Sequence, residues 1–377
     1  MKRLLEELEK HACDAYVAYD SSDDADMRYL SGFLASDPYI YVFSKDGVAT
    51  LIVSSMEETR ARYESACSIV TRISAGLPEL LKEYHDPDLA TAHMIKNFAG
   101  SRLLIPPSMP VGFARTLAEV AEVIIDSGTI AKIRSIKTED EITNMRYVQK
   151  MNEVAVRAAV DAVRKSEPDN RGILMLEDAP LTSERIRDII HFALRPFNCE
   201  DIDTIVSCGE ASSMPHARGT GPLYANQPIV MDVFPRSELT GYFADMTRTV
   251  SKGAPSDEIV RMYDAVQKAK ELAVSMIRPG VTGASVYSAV VEFFRENGYE
   301  TAGSSGFTHS LGHGVGLEIH EAPSLSPSGG ELKVGHVITL EPGLYYQGVG
   351  GVRLEDMGVV TSDGFDSFTC FEEKLVV

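Results

Sequence analysis

The chain has 377 residues, enough for two domains at ~150 residues each, and 44% hydrophobic residues give it an ordinary capacity to bury a core. Its 36 Lys+Arg against 55 Asp+Glu leave a formal net charge of −19. That balance excludes a basic face for a phosphate backbone and a polybasic membrane patch, so neither nucleic acid nor a membrane is an expected partner.

The N-terminus, MKRLLEELEKHACD, is a charged amphipathic stretch without the apolar segment of a signal peptide, and no apolar run is long enough for a membrane span. The five cysteines (Cys13, Cys67, Cys199, Cys208 and Cys370) are widely spaced and show no zinc-type spacing. Reduced thiols in a cytoplasmic protein are therefore expected. DAYVAY (14–19) reads as a strand. YIYVFS and VATLIVS read as a hairpin around Asp46-Gly47. LLIPP (103–107) and VIID (123–126) flank a helical stretch at 113–122. No Gly-rich phosphate loop follows any of these strands, which together describe a small mixed α/β domain.

A boundary is expected within 131–137, dividing the chain into domains 1–131 and 132–377. Thr138 and Glu141 then form a capping box. Ile142, Met145, Val148 and Met151, followed by Val154, Val160 and Val163, continue at helical spacing to about Lys165. Further helices are predicted from Ser256 to Ile277 and from Thr282 to Asn297, the last capped by Gly298.

The chemistry concentrates late in the chain. PIVMDVFPRSELTGYFADMTRTV reads as two strands around a polar turn. A symmetric hairpin centred between Glu238 and Leu239 would set Asp232 opposite Asp245. HVITLEPGLYYQGVGGVRLEDMGVV repeats the scheme: a hairpin centred at Gly348 sets Glu341 opposite Glu355. This weak internal repeat suggests a pseudo-twofold arrangement of strands. Like charges facing across a ladder repel unless neutralised. Two divalent cations would neutralise four carboxylates, and bridging carboxylates suit a two-metal site. The alternative is that the acids are solvated or paired with Arg248 and Arg353. Between the hairpins lies FTHSLGHGVGLEIHE, with His309, His313 and His320, and His216 lies just upstream of the first hairpin. Gly312, Gly314 and Gly316 would let the backbone pass close to a site. GHGVG lacks the strand-to-helix context of a dinucleotide loop.

In this order, DxxxxxxxxGYxxDMTRT, HxxGHGxGLxxHE, LEPGLY and VRLED resemble the motifs of the M24 metallopeptidases. Length and layout resemble the branch of Xaa-Pro dipeptidases (prolidases) and Xaa-Pro aminopeptidases. The resemblance implies an α+β fold: a pita-bread catalytic domain behind a smaller creatinase-type α/β N-terminal domain. It implies metal ligands at Asp232, Asp245, His313, Glu341 and Glu355, with Asp245 and Glu355 bridging, Asp232 on one metal, and His313 and Glu341 on the other. Glu341 is also the implied base for the bridging water, attacking as hydroxide. His216 and His320 are implied catalytic and substrate-facing histidines, His309 is a third substrate-side histidine, and Arg353 supports the ligands and the substrate site. One imidazole and four carboxylates suit Mn²⁺ or Co²⁺ and are compatible with Fe²⁺ or Zn²⁺.

The implied reaction is hydrolysis of an Xaa-Pro bond in a proline-containing peptide, by a homodimer whose N-terminal domains lie near the partner's active site. The first hairpin departs from the family: it reads DVFP where prolidases read DxG, and its turn is about two residues longer, so the adjacent substrate wall is expected to differ. Retention of all five ligands disfavours a creatinase-type activity. Three other readings stand beside this one: a methionine aminopeptidase-like enzyme, disfavoured by the ~130 residues preceding the catalytic half; a non-peptide C–N hydrolase of the same fold; and a non-catalytic binding protein that retains the fold.

Overall fold

A computed structural model describes residues 1–377. The chain divides into two compact units, Met1–Arg134 and Ser135–Val377.

The first unit is built on a six-stranded sheet of β1 (Ala15–Asp20), β2 (Tyr39–Ser44), β3 (Ala49–Val53), β4 (Ser68–Thr71), β5 (Arg102–Ile105) and β6 (Glu122–Ile125), in the order β4-β3-β2-β1-β5-β6. The β2–β3 hairpin pairs Ile40 with Ile52 and Phe43 with Ala49, which centres the turn on Asp46 as predicted, and Gly47 takes φ +81. Strand alternation divides the core in two. Tyr16, Ala18, Tyr41 and Phe43 pack with Leu4, Leu8 and Met27. Ala15, Val17, Ile40 and Val42 pack with Ile95, Phe113 and Leu117. Both faces are thus covered by helices, which is why these strands read as nearly continuous apolar runs.

The second unit opens with the long helix Glu139–Lys165, whose capping box between Thr138 and Glu141 is formed as predicted. The helices Asp257–Met276 and Gly283–Glu296 also lie where the sequence puts them, and Gly298 follows the latter at φ +84. The helix Ser183–Leu194 is an addition to the sequence reading. Its signals are Thr182, whose side chain accepts from Arg185 N–H, and the buried series Ile186, Ile190 and Leu194.

Three of this unit's five sheets carry the site. The strands β7 (Ile205–Cys208), β8 (Ile229–Val233) and β9 (Met246–Val250) form one, in the order β7-β8-β9. The second contains β10 (Gly312–Gly314), β11 (Glu321–Leu325), β12 (Val337–Leu340), β15 (Asp356–Val360) and β16 (Phe365–Ser367), in the order β11-β10-β12-β15-β16. A ribbon of β13 (Gly343–Tyr346) and β14 (Gly350–Arg353) is the third. The long helix and Ser183–Leu194 pack on the first sheet through Val148, Val156, Ile186 and Met231. The other two helices pack on the second sheet through Val266, Val290, Ile338 and Leu340. Helices covering sheets in this way give the α+β architecture expected of the pita-bread fold.

Candidate active site

The two carboxylate hairpins form with different fidelity. In the second, Val337 pairs with Val359 and Leu340 with Asp356, then Gly343 with Arg353 and Tyr346 with Gly350. One register, centred on Gly348, runs through both ladders. It breaks where Glu341-Pro342 faces Leu354-Glu355. There the glutamate backbones turn to other partners: Glu341 N–H donates to Leu311 and Glu355 N–H to Thr247.

In the first hairpin the predicted opposition of Asp232 and Asp245 is incorrect. Asp232 pairs with Thr247 and Val233 with Met246, so the register is displaced by two residues and Asp245 lies just before β9. The turn holds its own pairing, with Arg236 and Ser237 against Cys199 and Glu200. A shift of two, unlike a shift of one, preserves the face, so Asp245 is a diagonal neighbour of Asp232 on the same side.

A cavity of about 530 Å³ is lined by all nine candidate residues: Asp232, Asp245, His313, Glu341, Glu355, His216, His309, His320 and Arg353. His313 Nε2 lies 3.4 Å from Glu341 Oε1 and 3.6 Å from Asp245 Oδ2. One ligand atom each from Asp245, His313 and Glu355 lie within 4.8 Å of one another. His313 Nδ1 donates to the Gly314 carbonyl at 3.1 Å, which leaves the Nε2 lone pair toward the carboxylates. Burial, followed by the neighbouring His320, pushes His313 down to about 3, so it is a neutral ring.

The carboxylates show the opposite strain. Burial, then the charges of Glu355 and Asp232, holds Asp245 well above the usual carboxylate range. Burial and Glu341 do the same to Glu355. Burial pushes Glu341 up to about 8 against the opposing pull of Arg353. Of the two arginines considered as neutralising partners, Arg353 meets Asp232 at 2.5 Å, while Arg248 binds Asp356 at 2.8 Å and the carbonyl of Glu355. One guanidinium therefore faces four acids. Asp245 Oδ1 is buried without a hydrogen-bond partner. An orphaned carboxylate oxygen, a neutral imidazole and mutually raised acids fit the coordination of divalent cations.

Residues that sequence reasoning passed over hold this set in place. Thr247 Oγ1 donates to Glu355 Oε2 at 2.7 Å and accepts from Arg353 Nε at 3.0 Å. Arg353 Nη1 donates to Tyr345 Oη at 2.9 Å, and Tyr345 Oη is 2.9 Å from His309 Nε2. His309 Nδ1 donates to the Ser310 carbonyl, and burial, with Arg353, pushes this ring down to about 3. His216 and His320 sit at the exposed side, with the His320 ring 4.3 Å from that of His313. Ile205, Pro215, Phe234 and Ile319 form an apolar wall. The glycines differ from expectation. A Cβ on Gly312 would lie 2.0 Å from Thr339 O and one on Gly314 2.3 Å from Ala322 O, so these two admit neighbouring strands rather than a ligand. All five cysteines are free thiols, and no helix is long and apolar enough to cross a membrane.

The sequence profile of Metallopeptidase family M24 matches residues 143–362, and that of the Creatinase/Prolidase N-terminal domain matches residues 1–136. An uncharacterized peptidase of Bacillus subtilis is 30% identical over 363 residues, 94% of each chain. An Xaa-Pro dipeptidase of Pyrococcus horikoshii is 28% identical over 386 residues, covering 100% of this chain and 98% of its own. Among solved structures, an Xaa-Pro dipeptidase from Bacillus anthracis superposes with a TM-score of 0.84 at 26% identity, covering 100% of this chain and 98% of its own. An X-Pro aminopeptidase from Thermotoga maritima gives 0.81 at 26% identity, covering 99% of each. With its carboxylate-rich centre and its creatinase-type N-terminal domain, the chain belongs to the divalent-metal-dependent metallopeptidases of family M24.

Proposed function

We propose that this enzyme hydrolyses the Xaa-Pro bond of dipeptides or short peptides, using two divalent cations held by Asp232, Asp245, His313, Glu341 and Glu355 in a catalytic domain spanning 132–377. The observation that carries the metal centre is the buried, unpartnered Asp245 Oδ1 within a cluster of raised carboxylates and one neutral imidazole. The Xaa-Pro assignment rests on similarity to dipeptidases and an aminopeptidase of that specificity. Asp245, Glu355 and His313, whose ligand atoms lie closest together, would form the heart of the cation site, with Asp232 and Glu341 completing it. Carboxylate-rich ligation favours Mn²⁺ or Co²⁺. When bound, such cations supply Lewis acidity toward the scissile carbonyl and lower the pKa of a water toward neutrality.

The chain's own residues do the rest. Glu341 takes the proton from the attacking water on a carboxylate oxygen and returns it to the leaving prolyl nitrogen. His216 and His320, at the open side of the cavity, donate ring N–H groups to the developing oxyanion. His309, oriented by Ser310 and Tyr345, shapes the substrate side. Arg353 pairs with Asp232 and orients its carboxylate. The wall of Ile205, Pro215, Phe234 and Ile319 excludes water from the apolar parts of the substrate.

The test is hydrolysis of Gly-Pro and Met-Pro against a longer Xaa-Pro-Yaa peptide, with Mn²⁺ or Co²⁺, after chelation, and with Asp245→Ala. Loss of activity on chelation and in the variant is expected. Undiminished turnover after exhaustive chelation would sink the metal-centre reading, and preference for Met-Ala over Met-Pro would sink the Xaa-Pro reading. A homodimer is part of the proposal, and sedimentation at the monomer mass would remove it.

A further inference from the structure

We infer that Gln149 and Asn152 are positioning residues: two buried side-chain amides that clamp the ends of the long turn between Asp232 and Asp245, and thereby set the affinity of the site for divalent cations.

Both residues lie on the long helix, three positions apart, and both are 0% exposed. They interrupt an otherwise apolar stripe of Met145, Val148, Met151, Ala155 and Val156. A buried amide in such a stripe is costly, so the hydrogen bonds it does make indicate its role; Asn152 Oδ1 makes none. Asn152 Nδ2 donates to the carbonyl of Val233, the residue after Asp232, at 2.6 Å. Gln149 Oε1 accepts from the backbone N–H of Asp245 at 3.2 Å. The two amides therefore grip the chain beside each aspartate, where the β8–β9 pairing ends at Val233 and Met246. Gln149 Nε2 also donates to Thr369 Oγ1 at 2.9 Å, and Thr369 Oγ1 accepts from Met357 N–H, two residues after Glu355. One glutamine thus ties together the segments carrying Asp245 and Glu355. A third tie from the same helix comes through Tyr242, whose hydroxyl donates to Glu141 Oε1 at 2.6 Å.

The backbone grip matters because the Asp245 carboxylate has so little else to place it. Its Oδ1 takes no hydrogen bond from the protein. The carboxylate is aimed by where its main chain is held, and that main chain sits at the end of the turn, just before the β8–β9 pairing begins at Met246. Groups that orient a ligand from behind commonly change metal affinity by about 10- to 100-fold when removed.

The inference rests on the proposed metal centre, and the experiment separates the two. The chelated full-length protein is titrated with Mn²⁺ by calorimetry and with Co²⁺ by visible absorption. The chains compared are the unaltered protein, Gln149→Met, Asn152→Leu and Val148→Ala, the last a buried apolar truncation on the same helix. Gln149→Met and Asn152→Leu are expected to bind Mn²⁺ about tenfold or more weakly and to alter the Co²⁺ spectrum. Val148→Ala is expected to lower Tm while leaving both readouts unchanged. If the unaltered protein binds Mn²⁺ and both amide variants match it, the clamp is overturned and the metal centre stands. If the unaltered protein binds no divalent cation, the metal centre falls and the clamp with it. Should the amide variants fail to fold, hydrogen exchange in the unaltered chain decides. The Asp245 amide is expected to exchange far more slowly than that of exposed Leu239 in the same turn, and equal rates overturn the proposal.

Discussion

Arg353 Nη2 meets Asp232 Oδ2 at 2.5 Å, in a pair whose side chains are only 4% and 13% exposed. It is the one buried cation set against four clustered acids, and its other donors reach Thr247 and Tyr345. Removing it strands Asp232 beside three more carboxylates. Arg353→Met is expected to destabilise the metal-free protein by about 3–5 kcal/mol, since breaking a buried pair from one side leaves an uncompensated charge. Arg353→Lys recovers part of this but not the fork to Thr247 and Tyr345. Denaturant unfolding of the chelated proteins checks both, and a change below about 1 kcal/mol in Arg353→Met would contradict the argument.

Thr247 governs Glu355 through a single oxygen. Thr247→Val keeps the shape but removes the donor to Glu355 and the acceptor from Arg353. A loss of about 1–3 kcal/mol in stability is expected from the groups left unpaired. Thr247→Ser retains the hydroxyl and should behave like the unaltered chain, as comparison of their unfolding midpoints would reveal.

The carboxylates of the metal-free site make stability fall with rising pH once the unfolded histidines have lost their protons above about 6.5. Asp245, Glu341 and Glu355 have native pKa values raised above their unfolded values of 3.8, 4.5 and 4.5, so the native state binds more protons. Their contribution is complete below the ordinary carboxylate range and is lost as pH rises, for Glu341 through about 8. Chelated protein is therefore expected to show a declining Tm from pH 7 to pH 8, where the buried histidines are neutral in folded and unfolded chains alike, and saturating Mn²⁺ should raise Tm and flatten the decline. A chelated Tm that climbs across this interval would refute the account.

His336 should behave in the opposite sense. Burial, then Lys137 and Lys333, pushes it down to about 4, and its Nδ1 accepts from Lys333 N–H at 3.1 Å. The native state holds it neutral while the unfolded chain protonates near 6.5, so its contribution is complete above 6.5 and is lost as pH falls toward 4. Its ring resonances should not titrate between pH 5.5 and 8 in an NMR series, and an inflection near 6.5 would refute this.

Gly312 tests how closely β10 and β12 must approach. Gly312→Ala puts a Cβ 2.0 Å from the Thr339 carbonyl, a backbone atom that has no rotamer to escape into. Overpacking of this kind costs about 1–3 kcal/mol. Because Gly312 precedes His313, metal affinity should drop along with stability, which Mn²⁺ titration of the variant would show.

The two hairpins show what the sequence could carry. The second was legible to the residue, because its Gly-rich turn is tight and symmetric and a constant register runs from Val337–Val359 to Tyr346–Gly350. The first slipped by two, because its long turn contains pairing to Cys199 and Glu200, which lie far away in sequence. The helices with strong caps, at Thr138, Ser256 and Thr282, were visible from local chemistry alone.

The sequence by itself determined the chemical types and their order: four acids and a histidine flanked by turn and strand signals, and a long capped helix with an apolar stripe. Local rules carry that much, since caps, turns and alternation depend on neighbours a few residues apart. Only the tertiary structure decided which partners those groups take. It gave Arg353 to Asp232 and Arg248 to Asp356, left Asp245 Oδ1 without a partner, and paired the buried Gln149 and Asn152 with the backbone of Asp245 and Val233. Burial and long-range pairing make these choices, because the cost of an unpaired charge or amide arises only once water has been excluded.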